Sequence, residues 1–369
     1  MAIPGSFIAN VRKPEMKILL AGRIARAAAV WCVDEIIIFD DDPSNIPDYV
    51  SNHYRSKKKT KQEILDSIDD EDVAWQNPDQ FLFHVLSFAE CPPYLRQDAE
   101  YPEATLYPQS APLRWSGILP SLDMPHHLKS HEWCRYREGV TLPSPGTQPK
   151  QTPKSKKKAK FDKQEQEWTH VKCGLPYPIK IPYKVDPGTR VTIDFQSTEQ
   201  PPSWPHLSSE ECDDLEVDVV APYMPRVEGG YYWGYTVRKA PSLSAVFTGA
   251  EFENGYDFTI GTSERGVPLS SILPDDVAPR NRPISTERKL PERFEHLLLV
   301  FGGVKGLEPA VASDTELKAK GLSERSAHEV FDAWVNLVQG QGSRTIRTEE
   351  AVEIGLAGLK EYVDSMYDA

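Results

Sequence analysis

The chain has 369 residues, 39% of them hydrophobic, which is enough for a sizeable core and suggests two domains or one domain with a large insert. Its formal net charge is −13, so any nucleic-acid role must rest on local basic patches rather than on overall charge. No apolar run approaches a membrane span. The N-terminus lacks a signal pattern, and the five cysteines form no CxxC pair, which together read as reduced intracellular thiols.

Taken in chain order, "IPGSFI" reads as a strand and turn. "PEMKILLAGRIARAAAVWCV" follows, with Ile18, Leu19, Ile24, Ala27, Ala28 and Trp31 at helical spacing and Pro14 suited to a first helical turn. "DEIIIFDDD" has the continuous apolar run of a buried parallel strand, so the chain opens β-α-β, the unit of an α/β fold. "RSKKKTK", with five basic residues, belongs to a solvated insertion over about 50–75. "DQFLFHVLSFAECPPYLRQ" predicts an amphipathic helix stopped by Pro92 and Pro93.

Beyond Gly139 the texture changes. "EGVTL", "EWTHVKCG", "PIKIPY", "TRVTIDFQ", "LEVDVVAP" and "YYWGYTVR" are short strand-like runs between Pro/Gly turns, as in a small barrel or sandwich. Between the first two lies a lysine-rich, low-complexity loop over about 144–165, which predicts disorder. Alternation puts Tyr231, Trp233 and Tyr235 on one face, open either to stacking on bases or to the core. The α/β texture then resumes: "LSAVFTG" as a strand or short helix, "YDFTIGTSERG" and "HLLLVFGGVKGLEPA" as strands ending in loops, and "SERSAHEVFDAWVNLV" as a helix and a strand. In the last helix Thr348 serves as a cap, with Glu349 and Glu350 at its positive end.

Three glycine-bearing loops, Gly261–Gly266, Phe301–Glu308 and Gly340–Ile346, follow strands of this last part. In open α/β sheets ligands bind beyond the carboxyl ends of strands. Each loop alone is more simply a turn; the three together favour a ligand held by backbone groups. No loop ends in Gly-Lys-Ser/Thr, and "GQGSRT" lacks the third glycine of a dinucleotide fingerprint, so phosphate binding is unsupported. His126, His127, His131 and Cys134 in "HHLKSHEWC" do not have the spacing of a structural zinc site; surface and packing roles are the simpler reading, and no metal is expected.

At "AIPGSFI", "AGRIARAAAVWCVDEIIIFD", "ECPPYLR", "PHHL", "YREGV", "YWGYTVR", "GTSERG", "VFGGVKGLE" and "GQGSRTIRTEEA" the chain resembles the SPOUT superfamily of RNA methyltransferases, in its eukaryotic and archaeal branch. The resemblance covers nearly the whole chain. It implies an α/β fold with a C-terminal trefoil knot, interrupted by a small all-β, OB-fold-like insert: SPOUT parts at 1–135 and 233–369, and the insert at 136–232. The knot binds S-adenosylmethionine. By motif the resemblance places Thr262, Ser263, Glu264, Gly302, Gly303, Gly306, Asn336, Gly340, Gln341, Gly342, Ser343, Thr345 and Ile346 around the cofactor.

The "SRTIRTEEA" ending resembles bacterial SPOUT enzymes that methylate N3 of a ribosomal uridine, which tilts the target towards ribosomal RNA during large-subunit assembly. Arg265 is the first candidate to stabilise an anionic base, equally readable as a structural ion-pair partner, and Glu308 is a weaker candidate base. Lys154, Lys156, Lys157, Lys158, Arg23 and Arg344 are candidates for RNA contact. The resemblance further implies a homodimer or a heterodimer with a paralogue, contact with pre-ribosomal particles, and a nuclear, nucleolar location. A catalytically silent, RNA-binding assembly factor is the alternative. The chain starts at its first strand without the lysine-rich leader frequent in this branch, which reads as a trimmed or short form.

Overall fold

A computed structural model describes residues 1–43, 77–96, 106–107, 111–143, 168–285 and 287–366. The predicted insertion near 50–75 and the lysine loop carrying Lys154, Lys156, Lys157 and Lys158 lie outside them.

In chain order the strands are β1 (Ala2–Pro4), β2 (Glu35–Phe39), β3 (Tyr136–Thr141), β4 (Thr169–Lys172), β5 (Ile179–Ile181), β6 (Arg190–Asp194), β7 (Asp218–Val220), β8 (Thr236–Ala240), β9 (Phe258–Pro268), β10 (Leu297–Val300) and β11 (Ala333–Asn336). They form a six-stranded sheet, β11-β9-β10-β1-β2-β8, and a five-stranded sheet, β5-β4-β3-β6-β7. The chain divides into two compact units, one of Met1–Ala89, Ser110–Leu122 and Tyr235–Ala369, the other of Glu90–Gln109 and Asp123–Gly234. The second unit thus begins well before the expected boundary at 136: Cys91 and Leu95 pack with Val140 and Leu142 in one apolar cluster, joining "ECPPYLR" to the first strand of the insert.

The first unit is a parallel sheet throughout. Its central strands are apolar on both faces, the pattern of strands covered on two sides: Ala2 and Ile3, Ile36 to Phe39, and Leu298 to Val300 are all buried. Helix Pro14–Val30 starts with Pro14 at its first position, where a missing N–H costs nothing, and buries Ile18, Ala21, Ile24, Ala25 and Ala28. "LSAVFTG" resolves to a helix, Leu243–Thr248, whose N-cap Ser242 accepts the Ala245 N–H. The run "YYWGYTVR" becomes a strand only from Thr236, in the six-stranded sheet. Its second half is β8, paired in parallel with β2, so Tyr231, Trp233 and Tyr235 share no strand face.

The second unit is an antiparallel sheet over a core of Val171, Ile179, Ile181, Ile193, Phe195 and Cys212. The Tyr183 hydroxyl, just after β5, donates to Asp218 of β7 at 2.7 Å, so the two outer strands of the order curl towards each other. Below the sheet lies a buried polar cluster. Arg190 donates twice to Glu90, at 2.7 and 3.0 Å, and once to Glu138, at 2.6 Å. Glu138 also accepts from Thr192 and from the Trp233 indole, each at 2.7 Å. His126 and His127 both donate to the Glu90 carbonyl, and His126 also to its carboxylate at 3.0 Å. Burial raises the Glu90 carboxyl, but the Arg190 guanidinium and the His126 bond outweigh it and hold it at about 2. The two histidines are therefore packing residues bonded to Glu90, and Trp233 is an interior donor rather than an exposed stacking platform.

Candidate functional site

The three glycine loops, carried by β9, β10 and β11, meet at one end of the parallel sheet. β9 does not stop at its glycine loop. It pairs Ile260 and Gly261 with Ala333 and Trp334, then Val267 and Pro268 with Val335 and Asn336. The stretch Thr262–Gly266 is therefore a bulge thrown out of a continuous strand, which re-aims its side chains. The Thr262 hydroxyl anchors the bulge by donating to the Val300 carbonyl at 3.1 Å. At its far end a Cβ on Gly266 would lie 2.5 Å from the Val335 carbonyl carbon, so only glycine permits this close return to β11.

The loop after β10 is folded equally tightly. A Cβ on Gly302 would lie 2.8 Å from the Gly306 carbonyl carbon, and Gly306 has φ +80°. The third loop, after β11, leads into helix Thr348–Ser365. Thr348 does not cap that helix: Arg347 is the N-cap, its N–H bonded to Glu350 at 2.9 Å. The Thr348 hydroxyl instead donates to the Gly302 carbonyl at 3.0 Å, joining the second loop to the third.

Between the loops is a cavity of about 340 Å³, towards the small end of ligand-site volumes of about 300–1,000 Å³. The bulge gives it Thr262, Ser263, Glu264 and Arg265; the second loop gives Gly302, Gly303, Gly306 and Glu308; the third gives Asn336, Gln341, Arg344, Thr345 and Ile346. The Asn336 amide donates to the Glu264 carbonyl at 2.8 Å and fixes the first loop against the third. Arg265 reaches Glu308 at 3.5 Å; the guanidinium side chain is 73% exposed and the carboxylate side chain 14%.

Some expected residues sit elsewhere. Gly340, Gly342 and Ser343 belong to the third loop but not to the cavity wall. Arg344, expected to meet RNA, lines the cavity. Arg23 lies on helix Pro14–Val30, 3.7 Å from Glu353 and 4.0 Å from Glu349. Five wall residues were not among the expected site residues: Val304, Lys305, Leu337, Thr348 and Ala351. Val304 and Lys305 lie inside the quoted glycine loop and were within reach of the motif. Thr348 and Ala351 likewise lie inside the quoted "GQGSRTIRTEEA", and Leu337 stands just ahead of it; which side of a loop or helix faces a ligand is decided by tertiary placement, which no motif prints.

Residues 1–359 match the family described as "Putative RNA methyltransferase". The chain belongs to this family. Among its curated relatives, a mouse protein named 28S rRNA (uridine-N(3))-methyltransferase is 37% identical over 98% of this chain and 75% of its own length. The human protein of the same name is 36% identical, over 98% and 77%. The Drosophila melanogaster protein of that name is 34% identical, over 98% and 61%. The loop cavity of this RNA methyltransferase gathers the polar and glycine-rich parts of all three loops. Among the described residues no helix is long and apolar enough to cross a membrane.

Proposed function

We propose that the protein transfers a methyl group from S-adenosylmethionine to N3 of a uridine in large-subunit ribosomal RNA, through a SPOUT-type knotted site. The observation that carries this reading is the convergence of the bulge Thr262–Gly266 with the two other glycine loops on one cavity. Its wall suits the cofactor's chemistry. Glu264 and Glu308 are carboxylates for a sulfonium cation, while Lys305 and Arg344 are cations for an amino-acid carboxylate. Glycine backbone leaves N–H and C=O groups open to a purine edge. The bond from Thr348 to Gly302 holds the last helix behind the second loop, as a knot closing the site requires.

When bound, the cofactor supplies an activated methyl group. The protein's residues must orient the base in line with it, exclude water and manage one proton. In this reading Arg265 donates to a carbonyl oxygen of the base as negative charge develops on it. The names of the relatives support uridine N3 as the target atom. The OB-like β unit and the lysine runs would hold the RNA, in a dimer of like chains or with a paralogue, acting on pre-ribosomal particles in the nucleolus.

Calorimetry with S-adenosylhomocysteine tests the site. Saturable binding is expected, weakened at least tenfold in Gly302→Ala; no binding to the wild-type chain would reject the reading.

A further inference from the structure

A second cavity, of about 240 Å³, adjoins the first. Arg265 and Glu308 line both, so their ion pair is the partition between them. The opposite wall is the 3-10 segment Glu324–Val330, which contributes Glu324, Arg325 and His328. Ser323 and Ser326 brace that segment, the Ser323 N–H donating to the Ser326 hydroxyl at 2.9 Å. Gly266, Val267 and Trp334 contribute a further wall. Because Gly266 is pressed against β11, this wall is fixed backbone.

The lining selects among ligands. Glu287, Glu308 and Glu324 outnumber Arg265 and Arg325, so a phosphate group would meet net repulsion. A flat, uncharged ring that alternates N–H donors with carbonyl acceptors suits such a wall: carboxylates accept from the one and guanidiniums donate to the other. A pyrimidine base has that edge, and an enzyme working on a base buried in a helix must first take it out of the stack.

The proton needs an acceptor. Glu308 is committed to the Arg265 guanidinium at 3.5 Å. His328 differs: among the described residues nothing hydrogen-bonds or ion-pairs with its imidazole, and it is exposed on the cavity wall. Imidazole is also the side chain best suited to accepting a proton near neutral pH.

We infer that the second cavity receives the target uracil, extruded from its RNA helix, and that His328 accepts the N3 proton; this rests on the first cavity being the S-adenosylmethionine site. The N3–H bond breaks and its proton goes to the imidazole. The electron pair left on nitrogen forms the N–CH₃ bond as the S–CH₃ bond breaks, and the pair of that bond stays on sulfur. The imidazolium then releases its proton to solvent through the open side of the cavity.

The full chain is titrated first with S-adenosylhomocysteine by calorimetry. Uridine is then added to that complex while the imidazole ¹H–¹³C signal of His328, assigned by its loss in His328→Gln, is followed. A saturable shift of the signal is expected. With ribosomal RNA from cells lacking the protein, His328→Gln should lower single-turnover methyl transfer about 10²- to 10⁴-fold. S-adenosylhomocysteine affinity should stay unchanged, and the residual rate should keep rising with pH. An unmoved His328 signal, or a wild-type rate and pH profile in His328→Gln, overturns the inference while leaving the cofactor site standing. Absence of S-adenosylhomocysteine binding overturns both.

Discussion

Gly261 and Val267 pair with the adjacent residues Trp334 and Val335 of β11, although the whole of Thr262–Gly266 lies between them in sequence. The loop is thus held at both ends by one strand pair. Gly266 makes the return possible, with Trp334 and Val335 backbone atoms within 2.6 Å of where its Cβ would sit. Gly266→Val should therefore destabilise the protein by about 1–3 kcal/mol or more, because backbone cannot move aside as a side chain can. Thermal denaturation checks this; a melting temperature equal to wild type would mean the bulge is plastic.

Two glycines of neighbouring loops should respond in opposite ways. Gly302→Ala pushes a methyl group against the backbone of Gly306 and Leu307, whereas a Cβ on Gly342 meets nothing within 4 Å. Gly302→Ala should lose S-adenosylhomocysteine binding and Gly342→Ala should retain it, both read by calorimetry.

Arg265 is expected to act on the chemical step rather than on cofactor binding, since its guanidinium is exposed at the partition between the two cavities. Arg265→Ala should slow single-turnover methyl transfer by about 10²- to 10³-fold with cofactor affinity nearly intact. Arg265→Lys should restore only part of the rate, because an ammonium lacks the planar fork. An undiminished rate in Arg265→Ala would assign Arg265 a structural role.

The glycine loops were legible because glycine writes backbone geometry directly into sequence: Gly266 and Gly302 mark close approaches that no other residue permits. Continuous apolar runs such as Ile36 to Ile38 likewise announced buried parallel strands. The side of the third loop that faces the cavity was not legible. Gly340 and Gly342 were drawn to the site by their type, but Leu337 and Ala351 form its wall. Long-range polar pairing was equally hidden. Glu90 and Arg190 are 100 positions apart, and nothing local marks them as partners. Trp233, at the end of an aromatic run, received a strand face from alternation, yet its indole is committed to Glu138.

That buried cluster sets an acid limit on the β unit. Burial and the neighbouring His126 lower the His127 imidazole from its ordinary 6.5 to about 3, and Glu90 is lowered from 4.5 to about 2. At both groups the unfolded chain binds more protons over these windows, so stability falls on acidification. The cost at His127 begins near pH 6.5 and is complete near 3. The Glu90 contribution, on the order of 3 kcal/mol, is present above 4.5 and lost as pH falls through about 2. Urea midpoints of the full chain should fall steadily from pH 7 to pH 4. Arg190→Met should lower the midpoint at pH 7 by the equivalent of about 3–5 kcal/mol, since it leaves buried carboxylates unpaired. A midpoint independent of pH would contradict the protonation states assigned here.

Mass spectrometry of nucleosides from large-subunit ribosomal RNA, in cells lacking the protein, reads the proposed methyl transfer directly. N3-methyluridine should be lost at a single position, restored by the wild-type chain and not by Gly302→Ala. Unchanged N3-methyluridine in the deletion would contradict it, and would leave RNA binding without turnover as the function of the fold.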